Sequence, residues 1–293
     1  MAGQTSTTAP DRTLELDGAA FRATVLLSDH NQRVQVLSYQ GPEFSALVGE
    51  LRRIAAEQGV GKVFMKADPL HRPALEAAGM EAEASITGFF DGEDAVVMSL
   101  FLVEGRRDRP HRDEEQEILD AVRRRKPTTT PAELPEGYST RVADERDFGD
   151  LAGLYGEVFA SYPYPITDAE YLRRTAASHV VYRVIRDASG QMVAAASAET
   201  NRPLRNAEMT DFATLPSQRG LGMARLLLEA LEGDMRREGV PHLYTIARAR
   251  SAGMNRVFAN CGYEWTGTLV NNCHISGDFE DMHVWCKQTK GAR

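Results

Sequence analysis

Glu208-Met209-Thr210-Asp211-Phe212-Ala213-Thr214-Leu215-Pro216-Ser217-Gln218-Arg219-Gly220-Leu221-Gly222-Met223-Ala224 is the stretch that decides the fold. It begins as a strand, turns at Pro216-Ser217 and passes through a short glycine-containing loop. The loop opens into an amphipathic helix that reaches to about Arg237, with Leu227, Leu228, Leu231 and Met235 at helical spacing. A strand, a loop with little Cβ bulk and a helix N-terminus together make an anion site, because the N–H groups of the first turn are free and the helix dipole favours negative charge there. Gly220 and Gly222 allow close approach of a pyrophosphate.

Three known loops deserve comparison. A P-loop is excluded, since no Gly-Lys-Ser/Thr follows. A dinucleotide fingerprint needs a third Gly where Arg225 stands. Arg219-Gly220-Leu221-Gly222-Met223-Ala224 does resemble, at every fixed position, the Arg/Gln-x-x-Gly-x-Gly/Ala loop of the GNAT acetyltransferases. The remaining reading is a β–α connection without a ligand.

The chain has 293 residues, enough for two domains, and a formal charge of −8 with pI near 5.5. That balance argues against broad nucleic-acid or anionic-membrane binding. Cys261, Cys273 and Cys286 are an odd, sparse set, which suits a reducing compartment better than a disulfide framework. No apolar run approaches membrane-spanning length, and Met1–Asp11 lacks the regions of a signal peptide, so a cytoplasmic location is expected. The seven histidines show no ligand spacing, and no metal is expected.

In order, residues 1–12 read as a small, polar, disordered tail. Residues 13–103 read as an N-terminal α/β domain. It has strands at Phe21–Leu27 and Val34–Tyr39, a helix from Pro42 to about Gln58, a strand at Lys62–Lys66, a short helix at His71–Ala78 and two further strands. Residues 104–136 read as a connector, a helix over Asp113–Arg125 followed by a Pro/Thr linker around Pro127–Pro131. Residues 137–293 follow the order β-α-α-β-β-β-α-β-α-β-β. Leu75–Glu81 parallels Phe258–Glu264, and Ile86-Thr87-Gly88 parallels Ile275-Ser276-Gly277. The first domain therefore reads as a degenerate copy of the second, without the anion loop and so without its ligand. The predicted class is α/β with a mixed sheet.

The resemblance extends beyond the loop. Phe159–Ile166 with Asp168–Leu172, Glu208–Pro216, Ser251–Asn255, Gly267–Asn272 and, in the first domain, Ile86–Asp94 look like the GNAT-superfamily β-lysine N-acetyltransferase family. Over residues 138–287 the resemblance implies a GNAT fold and acetyl transfer from acetyl-CoA to an amine. It further implies β-lysine as acceptor, supplied by lysine 2,3-aminomutase, and N6-acetyl-β-lysine, a compatible solute (an osmolyte), as product. It implies Glu208 as general base, at the place of the glutamate of histone-type GNATs. Acetyl-CoA is expected along Phe212, Ala213 and Thr214 of a splayed, bulged strand, at Arg219, Gly220, Leu221, Gly222, Met223 and Ala224, and beside Asn255 and Phe258. Phe258 stands where many GNATs carry a Tyr as general acid, which leaves Tyr263, Tyr244 or a water for that role.

Tyr162, Tyr164, Asn271 and Asn272 are assigned by their place in the fold as lining residues for the acceptor. Regular strand alternation puts Glu208, Thr210, Phe212 and Thr214 on one face and Asp211 on the other. Alternatives left open are another amine acceptor (a polyamine, an amino sugar or a protein lysine) and a non-catalytic acyl-CoA-binding module. The first domain is expected to pack on the catalytic one or on a second subunit, which leaves a homodimer open.

Overall fold

The structure is a computed structural model and describes residues 11–124, 133–275 and 277–289. The expected tail up to residue 10 and the Pro127–Pro131 linker lie outside these residues. One mixed sheet of 13 strands runs through the chain. Its N-terminal half contains β1 (Arg12–Asp17), β2 (Arg22–Ser28), β3 (Arg33–Gln40), α1 (Phe44–Gln58), β4 (Lys62–Ala67), α2 (Arg72–Ala77), β5 (Glu81–Phe90) and β6 (Glu93–Phe101). After α3 (Arg112–Arg123) come β7 (Ser139–Val142), α4 (Phe148–Val158), α5 (Ala169–Ala176), β8 (Val180–Arg186) and β9 (Met192–Asn201). The remainder is β10 (Asn206–Thr214), α6 (Met223–Arg237), β11 (His242–Arg248), α7 (Ala252–Asn260), β12 (Glu264–Ile275) and β13 (Asp278–Gln288). Arg12, expected in the tail, begins β1, which adds a third strand ahead of the two read from the sequence, because it finds a full antiparallel partner in β2.

The strand order is β1-β2-β3-β4-β6-β5-β12-β13-β11-β10-β9-β8-β7. It reads nearly the same from either end towards the β5–β12 junction. In each half one parallel pair, β3 with β4 and β10 with β11, is bridged by the long helix α1 or α6. Strand β4 carries polar residues on one face only. Val63, Met65 and Ala67 join the core under α1, while Lys62, Phe64 and Lys66 face the C-terminal half.

The sheet is sharply curled. Five strand spacings separate β4 from β11, which would be about 24 Å in a flat sheet. Lys66 Nζ nevertheless donates to the Tyr244 hydroxyl at 3.0 Å. Phe64, Ile86, Phe89 and Val97 from the first half pack with Leu269, Met282 and Val284 from the second in one shared cluster. The halves therefore form one body, with an enclosed seam between them.

Two close backbone approaches hold that seam. Gly267 is the single ladder partner of Ala84 across the β5–β12 junction, and a Cβ on it would meet the Glu83 carbonyl oxygen at 2.3 Å. Gly88, at φ +69°, lies under the His242 ring, 1.9 Å from where its own Cβ would be. A bulge displaces part of β12 from β13 between Leu269 and Cys273; Asp281 of β13 accepts from the Asn271 N–H, and side chains of the first half bond the freed groups of Val270 and the Asn272 carbonyl. Lys62 donates to the Val270 carbonyl at 2.8 Å, Glu83 accepts from the Val270 N–H at 2.7 Å, and Arg33 donates to the Asn272 carbonyl. Lys62 and Glu83 are themselves a buried pair at 2.7 Å.

Replacing Gly267 by Ala should overpack the junction and destabilise the protein by about 1–3 kcal/mol. Scanning calorimetry should show this as a fall in Tm of several degrees, whereas an unchanged Tm would contradict the close approach of β5.

Candidate active site

Strands β10 and β11 pair only over Asn206–Glu208 against His242–Tyr244, and then diverge. The β11-facing edge of β10 from Met209 to Thr214 is thus left without a ladder partner. This wedge opens toward the loop read from sequence. Gly220 (φ +85°) and Gly222 (φ +76°) both adopt left-handed backbone, and a Cβ at either would meet no protein atom within 4 Å. Gly222 is the N-cap of α6, so first-turn N–H groups such as those of Met223 and Ala224 have no intrahelical partner. Met223 is buried in the core, Leu221 is exposed, and the Arg219 side chain reaches the Thr214 carbonyl at 3.4 Å. Open space beside glycines of positive φ, at the end of a splayed strand pair and a helix N-terminus, fits the pyrophosphate and pantetheine arm of acetyl-CoA.

On the β9 side the ladder shifts register between Thr210 and Ala213. Asp211, at φ +55°, is the bulged residue, and one extra residue reverses the alternation of side chains. This corrects the face assignment made from the sequence. The Asp211 carboxylate accepts from Ser197 Oγ at 2.6 Å and from Tyr162 at 2.7 Å, on the Glu208 face. Phe212 instead packs edge-on against Phe258 of α7, ring centroids 5.6 Å apart, on the opposite face.

The outcome is a cluster of three carboxylates. Glu208 is paired directly across the ladder with Glu199, and with Tyr244 on its other side. Burial pushes Glu208 and Asp211 up from ordinary carboxylate values, and Glu199 rises to about 8, by burial and then by the charges of Asp211 and Glu208. Lys66 opposes the shifts of Glu199 and Glu208, and its own ammonium is pushed down by burial. Lys66 Nζ also lies 4.9 Å from the ring centroids of Phe89 and Tyr244. Tyr164 lies within electrostatic reach of Glu199, Glu208 and Arg33. Burial raises the Tyr171 hydroxyl to about 12, with Glu199 and Asp211 adding to the shift. Glu199, Glu208, Tyr162, Tyr164 and Tyr171 all keep partial solvent contact, as walls of a cleft do.

Of the residues singled out in the sequence, the structure brings together Glu208, Tyr162, Tyr164 and Tyr244. Asn272 is buried nearby, with its side-chain oxygen unpartnered. Asn271 does not join them. Its amide donates to the carbonyls of Arg106 and Asp108, in a separate cleft of about 400 Å³ along the seam. Asn255 lies at the mouth of the β11–α7 turn, where its amide donates to the carbonyls of Arg248, Ala249 and Ser251 and accepts from the Trp285 indole at 2.9 Å. Its polar atoms are engaged in holding that turn. Tyr263 is packed under α7 against Phe258, away from the carboxylates.

Sequence reasoning missed Glu199, Lys66, Arg33 and the true direction of Asp211. A lone Glu ending the small-residue strand Met192–Ala198 was the available signal for Glu199. Among the described residues no group of three His, Cys, Asp or Glu side chains is arranged to hold a metal. Nor, among them, is any helix long and apolar enough to cross a membrane.

Comparison with known proteins agrees with this geometry. Residues 146–263 match the acetyltransferase (GNAT) family model. N-acetyltransferase YodP of Bacillus subtilis (strain 168) is 37% identical over 258 residues, covering 88% of this chain and 93% of that protein. The β-lysine N(6)-acetyltransferase of Methanococcus maripaludis is 34% identical over 263 residues, covering 90% and 95%. That of Methanosarcina mazei is 32% identical over 264 residues, covering 83% and 97%.

Gly222→Glu should abolish acetyl-CoA binding without unfolding the chain, because a carboxylate in a partly dry site would repel the pyrophosphate by several kcal/mol on an order-of-magnitude Coulomb scale. Calorimetry on a variant with native circular dichroism checks this, and unchanged affinity would refute the placement of the loop.

With the splayed strands, the glycine loop, the family match and near full-length relatives in agreement, the chain belongs to the GNAT acetyltransferases, as an acetyl-CoA-dependent N-acetyltransferase of the β-lysine N-acetyltransferase family.

Proposed function

We propose that the chain acetylates the side-chain amine of β-lysine at N6, giving N6-acetyl-β-lysine as a compatible solute, with lysine 2,3-aminomutase as the source of the acceptor. The observation that carries this reading is the convergence of Glu199, Glu208 and Asp211 in a cleft where burial makes uncompensated carboxylates expensive. A cationic acceptor relieves that cost. The names of two relatives supply the particular diamino acid.

Acetyl-CoA supplies an acetyl group activated as a thioester. The unpaired edge of Phe212, Ala213 and Thr214 and the loop Arg219–Ala224 hold it, and the Phe212–Phe258 pair closes the wall beside it. Asn255 supports that wall through the turn it staples. Glu199 and Asp211 attract the ammonium, and Tyr162 and Tyr164 line its path. Glu208 takes a proton from the amine, whose ordinary pKa is near 10.4, so that the free amine attacks directly in a ternary complex. The raised pKa of Glu208 moves it toward the operating pH of a base. The C–N bond forms as the thioester C–S bond breaks, and the leaving CoA thiolate takes a proton from the Tyr244 hydroxyl, which lies between Lys66 and Glu208 and recovers one from Glu208.

The first half has the same strand order and parallel pair as the second, which supports reading it as a degenerate copy. It lacks an Arg/Gln-x-x-Gly-x-Gly/Ala loop, so one acetyl-CoA should bind per chain.

A thiol-release assay with acetyl-CoA against β-lysine, α-lysine, spermidine and a lysine peptide tests the acceptor. Highest kcat/KM on β-lysine is expected, and a clear preference for spermidine or the peptide would refute it. Glu208→Gln should lower kcat by roughly 10²–10⁴, with little change in the acetyl-CoA constant. The deficit should shrink as pH approaches the pKa of the amine, where free amine needs no enzymic base. A loss confined to the KM for the amine and persisting at high pH would leave Glu208 as a binding group only.

A further inference from the structure

We infer that Arg33, a residue of the N-terminal half, binds the carboxylate of the acceptor and so makes the enzyme select a diamino acid over the corresponding diamine. This deepens the acceptor reading above and rests on it.

Arg33 opens β3 and its guanidinium is buried. It lies 4.9 Å from the Phe64 ring centroid, and its Nη1 donates to the Asn272 carbonyl and contacts Cys273 Sγ at 3.2 Å. Nε has no hydrogen-bond partner, and the groups that favour its charge are Cys273, Tyr164 and, without an ion pair, the Asp11 carboxylate. A buried arginine without a paired carboxylate is uncommon, because desolvating the charge is costly unless an anion compensates it. Lys62, its direct ladder partner on β4, shows the usual arrangement, with Glu83 as its partner.

The surroundings indicate which anion is missing. The Phe64 ring that Arg33 covers packs in one cluster with Tyr244 and Cys273, with Tyr162 against it, and Arg33 acts electrostatically on Tyr164, Glu208 and Lys66, which puts it beside the carboxylate cluster. Tyr164 is within reach of Arg33 as well as of Glu199 and Glu208. The cleft thus has an acidic pole made by β9 and β10 and a basic pole made by β3. An acceptor with an ammonium at one end and a carboxylate at the other satisfies both, and the planar donor fork of arginine matches a carboxylate. A polyamine would leave the guanidinium unpaired and repelled.

The test compares wild type, Arg33→Lys and Arg33→Gln on β-lysine and on 1,4-diaminopentane, its analogue without the carboxylate. Arg33→Gln should lower kcat/KM on β-lysine by roughly 10²-fold, mainly through KM, as expected for loss of a buried charge-assisted contact. It should leave the diamine within a few-fold of wild type, or improve it. Arg33→Lys, which keeps the charge and a donor for the Asn272 carbonyl, should fall between. Equal losses on both substrates would show that Arg33 only supports the β12 bulge, and unchanged β-lysine kinetics would remove it from recognition. If wild type prefers a different diamino acid, the β-lysine assignment fails while the same comparison, made with that acid and its diamine, still decides the role of Arg33. If wild type prefers the diamines, both readings fail.

Discussion

The arrangement of this protein depends on three carboxylates, Glu199, Glu208 and Asp211, held in one poorly hydrated cleft. Like charges at this separation and burial cannot all be ionised without nearby cations. Strands β9 and β10 supply the acids but no base. The cations come from the other half of the chain, Lys66 on β4 and Arg33 on β3, and they reach the cleft only because the sheet curls. A half that has no acetyl-CoA loop is thereby tied to the chemistry of the half that has one.

The same half also completes the catalytic half structurally. Taken alone, the sheet of the catalytic half would end at β12, and an edge strand with a bulge exposes unpaired backbone groups. Lys62, Glu83 and Arg33 bond the carbonyl and N–H of Val270 and the carbonyl of Asn272, and the Asn31 side chain accepts from the His274 N–H at 3.0 Å. Gly267 and Gly88 let the two halves approach closely enough for this. The seam therefore buries an edge and positions two cations with one set of contacts.

Much of the fold was legible because it rests on local signals. The leucine spacing after Gly222 gives α6, glycine and proline mark the loop, and alternation gives the strands; each corresponds to an element within a few residues. The site was legible where it depends on the same local features, as with Glu208 and the tyrosines of the segment before α5. It was not legible where it depends on parity or on distant strands. A bulge of one residue turned Asp211 inward and Phe212 outward, against regular alternation. Lys66 and Arg33 enter the cleft through the curl of the sheet, which no spacing within β3 or β4 encodes. Asn271 lay next to Asn272 in sequence, yet the left-handed turn at its own position (φ +44°) sends its amide to the Arg106–Asp108 segment.

The central claim is that an acceptor ammonium settles among carboxylates that are partly protonated without it. Burial and the charges of Asp211 and Glu208 push Glu199 up to about 8, toward its protonated form, and an ammonium placed beside it favours the ionised form and so releases a proton. Calorimetric titration of the protein with β-lysine at pH 7, in phosphate and in Tris, measures the protons exchanged on binding. The account predicts net proton release in wild type and a smaller release in Glu199→Gln. Proton uptake, or identical binding heats in the two buffers, would contradict it.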